Sequence, residues 1–176
     1  MKITEMVNKI TNPKGTIKPR SLDEVVAGGS AEDFIQDGGI YKIIDQSQDG
    51  FYDERFGKNA TFVIVEAAVQ AADGKLTDTG DAVQYNLSAA DRAATPYRKE
   101  ADGFTVRDGE TVRADGDFVT AWKAAKNAKE FMKANNGRYF KAVVKAIVNV
   151  RAWDRAAEAY SKTDLREQKV FTLTWV

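Results

Sequence analysis

The sequence predicts an α+β fold made mainly of antiparallel β-structure. Segments in which apolar and polar residues alternate recur along residues 40–176, and one long helical stretch at 117–136 interrupts them. The chain has 176 residues and is 43% apolar, which is enough for one domain with its own hydrophobic core. We therefore expect a single β-rich globular domain over residues 40–176.

Five strands are predicted. Residues 61–72 and 81–88 alternate, with Val83, Tyr85 and Leu87 on the inner side of the second segment, and a polar connection makes the two a hairpin. The longest alternation is residues 138–153, whose even positions are all apolar. The predicted strands are 40–46, 61–72, 81–88, 138–153 and 169–176.

Residues 117–136 are predicted to form one helix, because an apolar stripe through Phe118, Trp122 and Met132 has helical spacing. Asn135 to Gly137 end it. Lysines on the opposite side, such as Lys126 and Lys133, are typical of a solvated helix face.

The remaining segments are an N-terminal arm and an insertion. Residues 1–39 are predicted to be an arm with two short helices, one capped by Ser21 and one by Ser30. Residues 89–117 are polar and form the insertion, in which Asp108-Gly109 at the centre of residues 104–113 predicts a small hairpin.

The predicted order is strand, strand, strand, helix, strand, strand, which is the element order of an OB-fold. We therefore expect an OB-like five-stranded barrel with the helix between strands three and four. A curved antiparallel sheet with one packed helix has the same order and stays an alternative.

Composition argues against an enzyme. The chain has no Cys and no His, which excludes disulfides and the catalytic or zinc chemistry that depends on these residues. Asp73, Asp78 and Asp81 fall in a predicted hairpin tip, where acidic residues usually serve solubility. We expect no catalytic residues, no cofactor and no small-molecule substrate.

Charge and hydropathy bear on partners and location. No apolar segment is long enough for a membrane helix, and the N-terminus lacks the apolar region of a secretory signal. We expect a protein of the cytoplasm, including that of an infected host cell. Residues 118–176 carry twelve Lys and Arg against five carboxylates, and residues 1–20 carry five against one. This asymmetry suits a polyanionic partner, or self-association between acidic and basic surfaces.

The odd positions of residues 138–153, called the outer face below, mix cations with aromatic residues. Lys and Arg neutralise phosphates and aromatic rings stack on bases, so this mixture predicts sequence-tolerant binding of single-stranded nucleic acid. In an OB-like fold the loop before strand two and the connection after strand four, with Tyr160 and Arg166, would adjoin it. The predicted binding residues are Tyr139, Lys141, Lys145, Arg151 and Trp153 of the strand, and Phe51, Tyr52, Arg55 and Lys58 of the first loop.

Two other interpretations stay open. The cations could be the solvated side of a one-sided sheet, and Val143 and Ile147 on the same face indicate partial burial against another element. The protein would then be a structural or assembly protein, such as one of a virus particle, using the basic arm and charge-polar surfaces for subunit contacts.

A calcium-loop pattern begins at Asp45. Oxygen ligands recur at Asp45, Ser47, Asp49 and Asp53, with Gly50 at the turn. Phe56 stands where a bidentate Glu is needed, and the flanking segments are predicted strands. A calcium-stabilised module is therefore the weaker interpretation, and we expect an ordinary turn without a metal ion.

Overall fold

The computed structural model describes residues 31–45 and 61–176. Helices in this part of the chain are α1 Ala31–Phe34, α2 Leu87–Ala90, α3 Asp117–Ala124 and α4 Ala128–Asn135. The long strands are β1 Ile40–Ile44, β2 Phe62–Gln70, β3 Leu76–Asn86, β8 Tyr139–Asp154 and β9 Ala159–Trp175. The short strands are β4 Ala93–Ala94, β5 Tyr97–Lys99, β6 Thr105–Arg107 and β7 Val112–Arg113.

The five long strands form one antiparallel sheet in the order β3-β2-β1-β8-β9. The prediction of a mainly antiparallel β protein with a five-stranded sheet is confirmed. The predicted barrel is wrong, because β3 and β9 lie at the two edges and do not pair with each other. Instead the chain at Asp115 pairs with β9 near Thr172, where the Asp115 amide donates to the Phe171 carbonyl.

Aromatic rings form the centre of the hydrophobic core. Phe118 of α3 lies 4.6 Å from Phe140 of β8 and 5.0 Å from Phe131 of α4, measured between ring centroids. Tyr85 of β3 and Trp175 of β9 complete the cluster around it. Because these residues come from five separate elements, burial of this cluster joins the sheet to the helices.

The single long helix predicted at 117–136 is instead two helices of eight residues, α3 and α4. Ala125 has an extended backbone, and the Asn127 side chain caps α4 by accepting a hydrogen bond from the Glu130 amide at 2.9 Å. A side chain that bonds the backbone in this way favours a helix start over a helix interior. The break lets Phe118 and Phe131 pack edge-on in the core.

The last strand is longer than predicted. Residues 154–168, expected to be a polar connection, contain a tight turn followed by the first half of β9, in which Tyr160 pairs with Trp153 and Glu167 with Asn149. The polar composition of residues 154–168 does not indicate a strand, because a two-stranded ribbon that is solvated on much of its surface needs few apolar residues. β3 likewise begins at Leu76 rather than 81.

The insertion also pairs differently from the prediction. Residues 104–113 were expected to fold on themselves at Asp108-Gly109, but β6 pairs with β5 and β7 pairs with β4. β6 and β7 thus each pair with a strand that precedes them in the chain, and two small sheets result. None of the helices in the described ranges is long and apolar enough to cross a lipid bilayer.

Candidate functional site

The hairpin of β8 and β9 extends well beyond the rest of the large sheet. β8 pairs with β1 only through Tyr139, Phe140 and Lys141, whereas its pairing with β9 continues to Asp154. The small sheets lie against this extension, and the Thr105 hydroxyl of β6 donates to the Lys162 carbonyl of β9 at 3.0 Å. The distal half of the hairpin therefore packs against the insertion, and Val148 within it still belongs to the hydrophobic core.

Tyr139, a predicted binding residue, is committed to a polar cluster at the inner end of the hairpin. Its hydroxyl donates to Asp78 Oδ1 at 2.6 Å, and Lys42 Nζ donates to Asp78 Oδ2 at 3.0 Å. Burial and the Asp78 hydrogen bond raise the pKa of the Tyr139 phenol. Burial by itself would lower the pKa of Lys42, but the hydrogen bond and charge of Asp78 raise it overall. The geometry gives Tyr139 a structural contact rather than a free stacking surface.

Lys145 and Lys141 differ in their surroundings. Lys145 Nζ donates to Asp115 Oδ2 and to the Arg113 carbonyl, both at 3.0 Å. A hydrogen bond from Thr172, together with the hydrogen bond and the charge of Lys145, lowers the pKa of the Asp115 carboxyl. Lys141 is exposed on the outer face. The side chains of Val143 and Ile147 are 41% and 60% exposed, so these two residues are not buried against another element. Tyr139 and Arg151 of the same face are half-buried.

Arg151 and Trp153, the remaining predicted residues of the strand, line a cavity of about 530 Å³ between the distal hairpin and residues 92–97. We call it the arginine–aromatic cavity. It combines three arginines with three aromatic side chains and one amide. The lining side chains that matter here are Arg92, Tyr97, Arg151, Trp153, Tyr160, Arg166 and Gln168.

Neutral groups hold the three guanidinium groups in place. Gln168 Oε1 accepts hydrogen bonds from Arg92 Nη1 at 2.7 Å and from Arg166 Nη2 at 2.9 Å. Arg151 donates from Nε to the Thr105 hydroxyl and from Nη2 to the Thr105 carbonyl, at 3.0 and 3.1 Å. The acceptors in these hydrogen bonds are uncharged, and the bonds help to orient the three guanidinium groups at the cavity.

Aromatic rings form the outer part of the cavity. Trp153 and Tyr160 are paired across the two strands, with ring centroids 5.1 Å apart and planes nearly perpendicular, and they are 52% and 65% exposed. The Arg151 guanidinium lies 4.3 Å from the centre of the Tyr97 ring. Exposed indole and phenol rings beside oriented cations match the chemistry of a base attached to a phosphate.

Sequence reasoning missed Arg92, Tyr97 and Gln168. Arg92 and Tyr97 come from the insertion, far from β8 in sequence, and no local pattern links them to it. Tyr160 and Arg166 were expected in a loop, but they lie in β9. Recognition of 154–168 as a strand would have placed Tyr160 opposite Trp153, since hairpin pairing sets the register.

Several predicted residues lie outside the described part of the chain. These are Phe51, Tyr52, Arg55 and Lys58 of the first loop, and Ser47, Asp49, Gly50 and Asp53 of the calcium-loop pattern. Asp45 is described and buried, and its amide donates to Asn136 Oδ1 at 2.9 Å. In residues 31–45 and 61–176, no group of three or more carboxylates is placed to hold a metal ion.

The arginine–aromatic cavity is the place where the described residues concentrate positive charge and exposed rings together. An anion with an attached planar ring satisfies both features at once, because guanidinium groups bind phosphate oxygens in a fork and rings stack. Comparisons of the chain with models of protein families, with curated proteins and with solved structures find no match.

Proposed function

We propose that the protein is a non-enzymatic, sequence-tolerant binder of single-stranded nucleic acid, and that the arginine–aromatic cavity is its binding site. The observation that carries the proposal is the convergence of Arg92, Arg151 and Arg166 with Trp153 and Tyr160 on one cavity. We further propose that the domain is an open OB-like sheet. The position of α3 and α4 between the third and fourth long strands supports this topology.

Charge in the cavity favours a polyanion. Three arginines line it, and no Asp or Glu occurs among its lining residues in the described ranges. Release of counterions from a single strand gives a slope of log K against log salt of about −0.7 for each phosphate neutralised, so three contacts predict a slope of about −2. Binding should therefore weaken markedly with added salt.

The exposed rings add stacking that does not depend on base identity. Each base stacked on an aromatic side chain contributes about 1–3 kcal/mol, and every base offers a flat face. Trp153 and Tyr160 leave about half or more of their surface open to solvent. A base that stacks on these rings would bury this exposed apolar surface, which favours binding.

Fluorescence polarisation with a labelled ~30-nucleotide poly-dT, longer than the site of one domain, tests the proposal at low and moderate salt. The test variant is Arg151→Gln/Arg166→Gln. Its matched control is Lys141→Gln/Lys169→Gln, which removes the same charge from exposed positions of the same hairpin outside the cavity.

We expect salt-sensitive binding by the wild-type protein, weakened about tenfold or more in the arginine variant, since hydrogen bonds to charged groups contribute about 1.5–3 kcal/mol each. The lysine variant should bind nearly as well as the wild type. Equal weakening of both variants would indicate general electrostatic attraction without a cavity site. No binding at low salt would reject the proposal.

A structural or assembly role is the second candidate. The observation that favours it is the exposure of Val143 and Ile147 on the outer face, where two apolar side chains could pack against a second subunit. Light scattering would then show a mass that rises with concentration and does not respond to oligonucleotide. Ile147→Glu should abolish that rise, whereas the same substitution would leave nucleic-acid binding at the cavity intact.

A further inference from the structure

We infer that Lys42 and Asp78 react with each other to form an amide cross-link between β1 and β3, with the Glu66 carboxylate of β2 as the proton carrier. The cross-link is a covalent modification of the chain and does not depend on nucleic-acid binding. Four neighbouring strands of the large sheet, β8, β1, β2 and β3, each place one polar side chain of this cluster on the same face.

The register of the sheet brings the four side chains together. Lys42 lies directly opposite Glu66 of β2 on one side and Tyr139 of β8 on the other. Residues that oppose each other in this way have Cβ atoms about 5 Å apart. Asp78 lies opposite Ala68, two residues from Glu66, so the long Lys42 side chain crosses β2 to reach it.

The groups needed to make an amide are in contact. Lys42 Nζ lies 3.0 Å from Asp78 Oδ2, and the two side chains are only 14% and 16% exposed. The Tyr139 hydroxyl donates to the other carboxylate oxygen, Asp78 Oδ1, at 2.6 Å. Glu66 is buried, its Oε2 accepts from the Gly80 amide at 2.8 Å, and its charge acts on Lys42. The cluster therefore supplies an amine, an acyl group, a hydrogen-bond donor and a second carboxylate.

Apolar side chains flank the cluster on the same face. Ile40 and Ile44 lie on either side of Lys42 along β1, and Ile64 lies beside Glu66 along β2. All three isoleucines are buried. Apolar surroundings disfavour charged groups relative to neutral ones. The neutral amine and the neutral acid, which are the forms that react, are therefore closer in free energy to the ion pair than they would be in water.

The ion pair is the resting form of the two groups. Burial lowers the pKa of Lys42, but the hydrogen bond and the charge of Asp78 outweigh burial and raise that pKa overall. One proton transfer from Nζ to Oδ2, along the existing hydrogen bond, neutralises both groups at once. The reaction is slow because this neutral pair is scarce, but fixed proximity favours it, since well-oriented groups reach effective molarities of about 10⁵–10⁸ M.

Atoms and electrons balance in the proposed step. The Nζ lone pair of Lys42 attacks Asp78 Cγ, and the electron pair of the C=O bond moves onto Oδ1, where the Tyr139 hydroxyl stabilises the developing charge. Glu66 takes a proton from the attacking nitrogen and delivers it to Oδ2, which leaves as water when the C=O bond re-forms. An ammonium and a carboxylate thus become one amide and one water, and Glu66 returns to its starting form.

A second lysine–aspartate pair offers a comparison within the same molecule. Lys145 Nζ also lies 3.0 Å from a carboxylate oxygen, Asp115 Oδ2, but these side chains are 38% and 52% exposed. Water solvates both charges at such exposure and keeps the amine protonated. We expect this pair to remain an ion pair, so burial rather than distance alone distinguishes the reactive lysine.

Intact-mass spectrometry of the full chain under denaturing conditions tests the inference. After incubation until the mass is constant, the wild-type protein should be lighter than its sequence requires by one water, about 18 Da. Trypsin should then release a branched peptide in which residues 21–55 are joined to residues 76–92, because it does not cleave after an acylated lysine. This peptide distinguishes the cross-link from loss of water at an Asp-Gly sequence.

Three variants assign the roles. Lys42→Arg keeps a positive charge beside Asp78 but lacks the amine, so it should retain its full mass. Glu66→Gln keeps the size of the side chain and should slow cross-linking about 100-fold or more, the usual contribution of a positioned proton carrier. Lys145→Arg is the matched control and should cross-link as the wild type does. Where Glu66→Gln does not fold, Tyr139→Phe replaces it and should slow the reaction about 100-fold, as expected for loss of one oxyanion donor.

The outcomes are distinct from those of the binding experiment. A wild-type protein of full mass, without the branched peptide, would show that Lys42 and Asp78 form an ion pair only and would overturn the inference. A branched peptide that contains Lys145 in place of Lys42 would overturn it as well. Cross-linking of Glu66→Gln at the wild-type rate would reject Glu66 as the proton carrier. The polarisation titration tests nucleic-acid binding by itself, so either proposal can fail while the other stands.

Discussion

The two ends of the β8–β9 hairpin use similar residues for different purposes. At the inner end Phe140 and Leu173 are completely buried among the rings of the core, and Tyr139 donates to a carboxylate. At the distal end Trp153 and Tyr160 are half or more exposed, and Arg151 is held by an uncharged threonine. Both ends belong to the same pair of strands, whose register shifts between Val144 and Ala146 and between Arg151 and Trp153. The neighbouring elements determine whether a ring stabilises the fold or stays open to solvent.

The difference shows where stability and binding reside. The inner end contributes to the cluster around Phe118, whose members come from helices and strands distant in sequence. The distal end contacts the short strands of the insertion, and its rings Trp153 and Tyr160 are half or more exposed. Substitutions at the inner end should therefore affect the free energy of unfolding, and substitutions at the distal end should affect binding.

The largest effect is expected for Phe118→Ala. Removing a fully buried ring from the centre of the aromatic cluster should lower the free energy of unfolding by about 3–5 kcal/mol. Urea denaturation followed by tryptophan fluorescence measures it. Trp153→Phe at the distal end is the comparison and should change stability by less than about 1 kcal/mol. Similar losses for both would contradict the division between the two ends.

Gly116 tests the junction between the insertion and the inner end of β9. Its φ is +101°, and a Cβ placed there would collide with the Leu173 carbonyl oxygen. Gly116→Ala should lower the free energy of unfolding by about 1–3 kcal/mol, because residues other than Gly rarely adopt its φ of +101° with ψ of 177°, and by a further amount because of the collision. Gly103 has φ of +87° and open space around its Cβ position, so Gly103→Ala should lower the free energy of unfolding only through its positive φ. Equal melting temperatures of the two variants would show that the backbone moves aside freely.

At the distal end, Trp153→Ala should weaken oligonucleotide binding by about 1–3 kcal/mol, the contribution of one stacked base, which is about five- to 150-fold in the dissociation constant. Trp153→Phe should restore most of it, because a ring remains. Polarisation titrations measure both variants. A loss in Trp153→Ala that Trp153→Phe does not recover would mean that the indole contributes through something other than stacking.

The smallest effect concerns Asp115, which joins Lys145 of the outer face to Thr172 of β9. Its folded pKa is lowered, so the carboxylate contributes stability above its unfolded pKa of about 3.9 and the contribution is lost as the pH falls through the lower folded value. Because the pair is well exposed, Asp115→Asn should cost less than about 1 kcal/mol at pH 7. Denaturation at pH 7 and near pH 2 should show the difference from wild type disappearing at the lower pH. A difference that persists there would assign the contribution to hydrogen bonding alone.

Alternation along β8 was predictable because a strand places successive side chains on opposite sides whatever surrounds it. The even positions from Phe140 to Ala152 are buried or half-buried, as expected, and Lys141, Lys145 and Asn149 are exposed. The helix break at Ala125 was not predictable from the apolar stripe, which continues across it. Capping by Asn127 and the packing of Phe131 against Phe118 favour two helices over one.

The candidate site was predictable only in part. Arg151 and Trp153 came from the pattern of one strand, and the structure brings them together with Tyr160 and Arg166 of the next. Tyr139 and Lys145 shared the same pattern, but Asp78 and Asp115 occupy their polar atoms. Such pairings join residues 30 or more positions apart, so no local pattern contains them.

The sequence by itself determined the β-rich class, the long amphipathic strand and the absence of histidine and cysteine chemistry, because these depend on residue type and spacing alone. Only the tertiary structure decided that the sheet stays open, that residues 159–168 extend the last strand, and that Arg92 and Tyr97 meet Arg151. The physical reason is that pairing and burial depend on which distant segments approach each other, and a solvated hairpin gives little local signal of its partners.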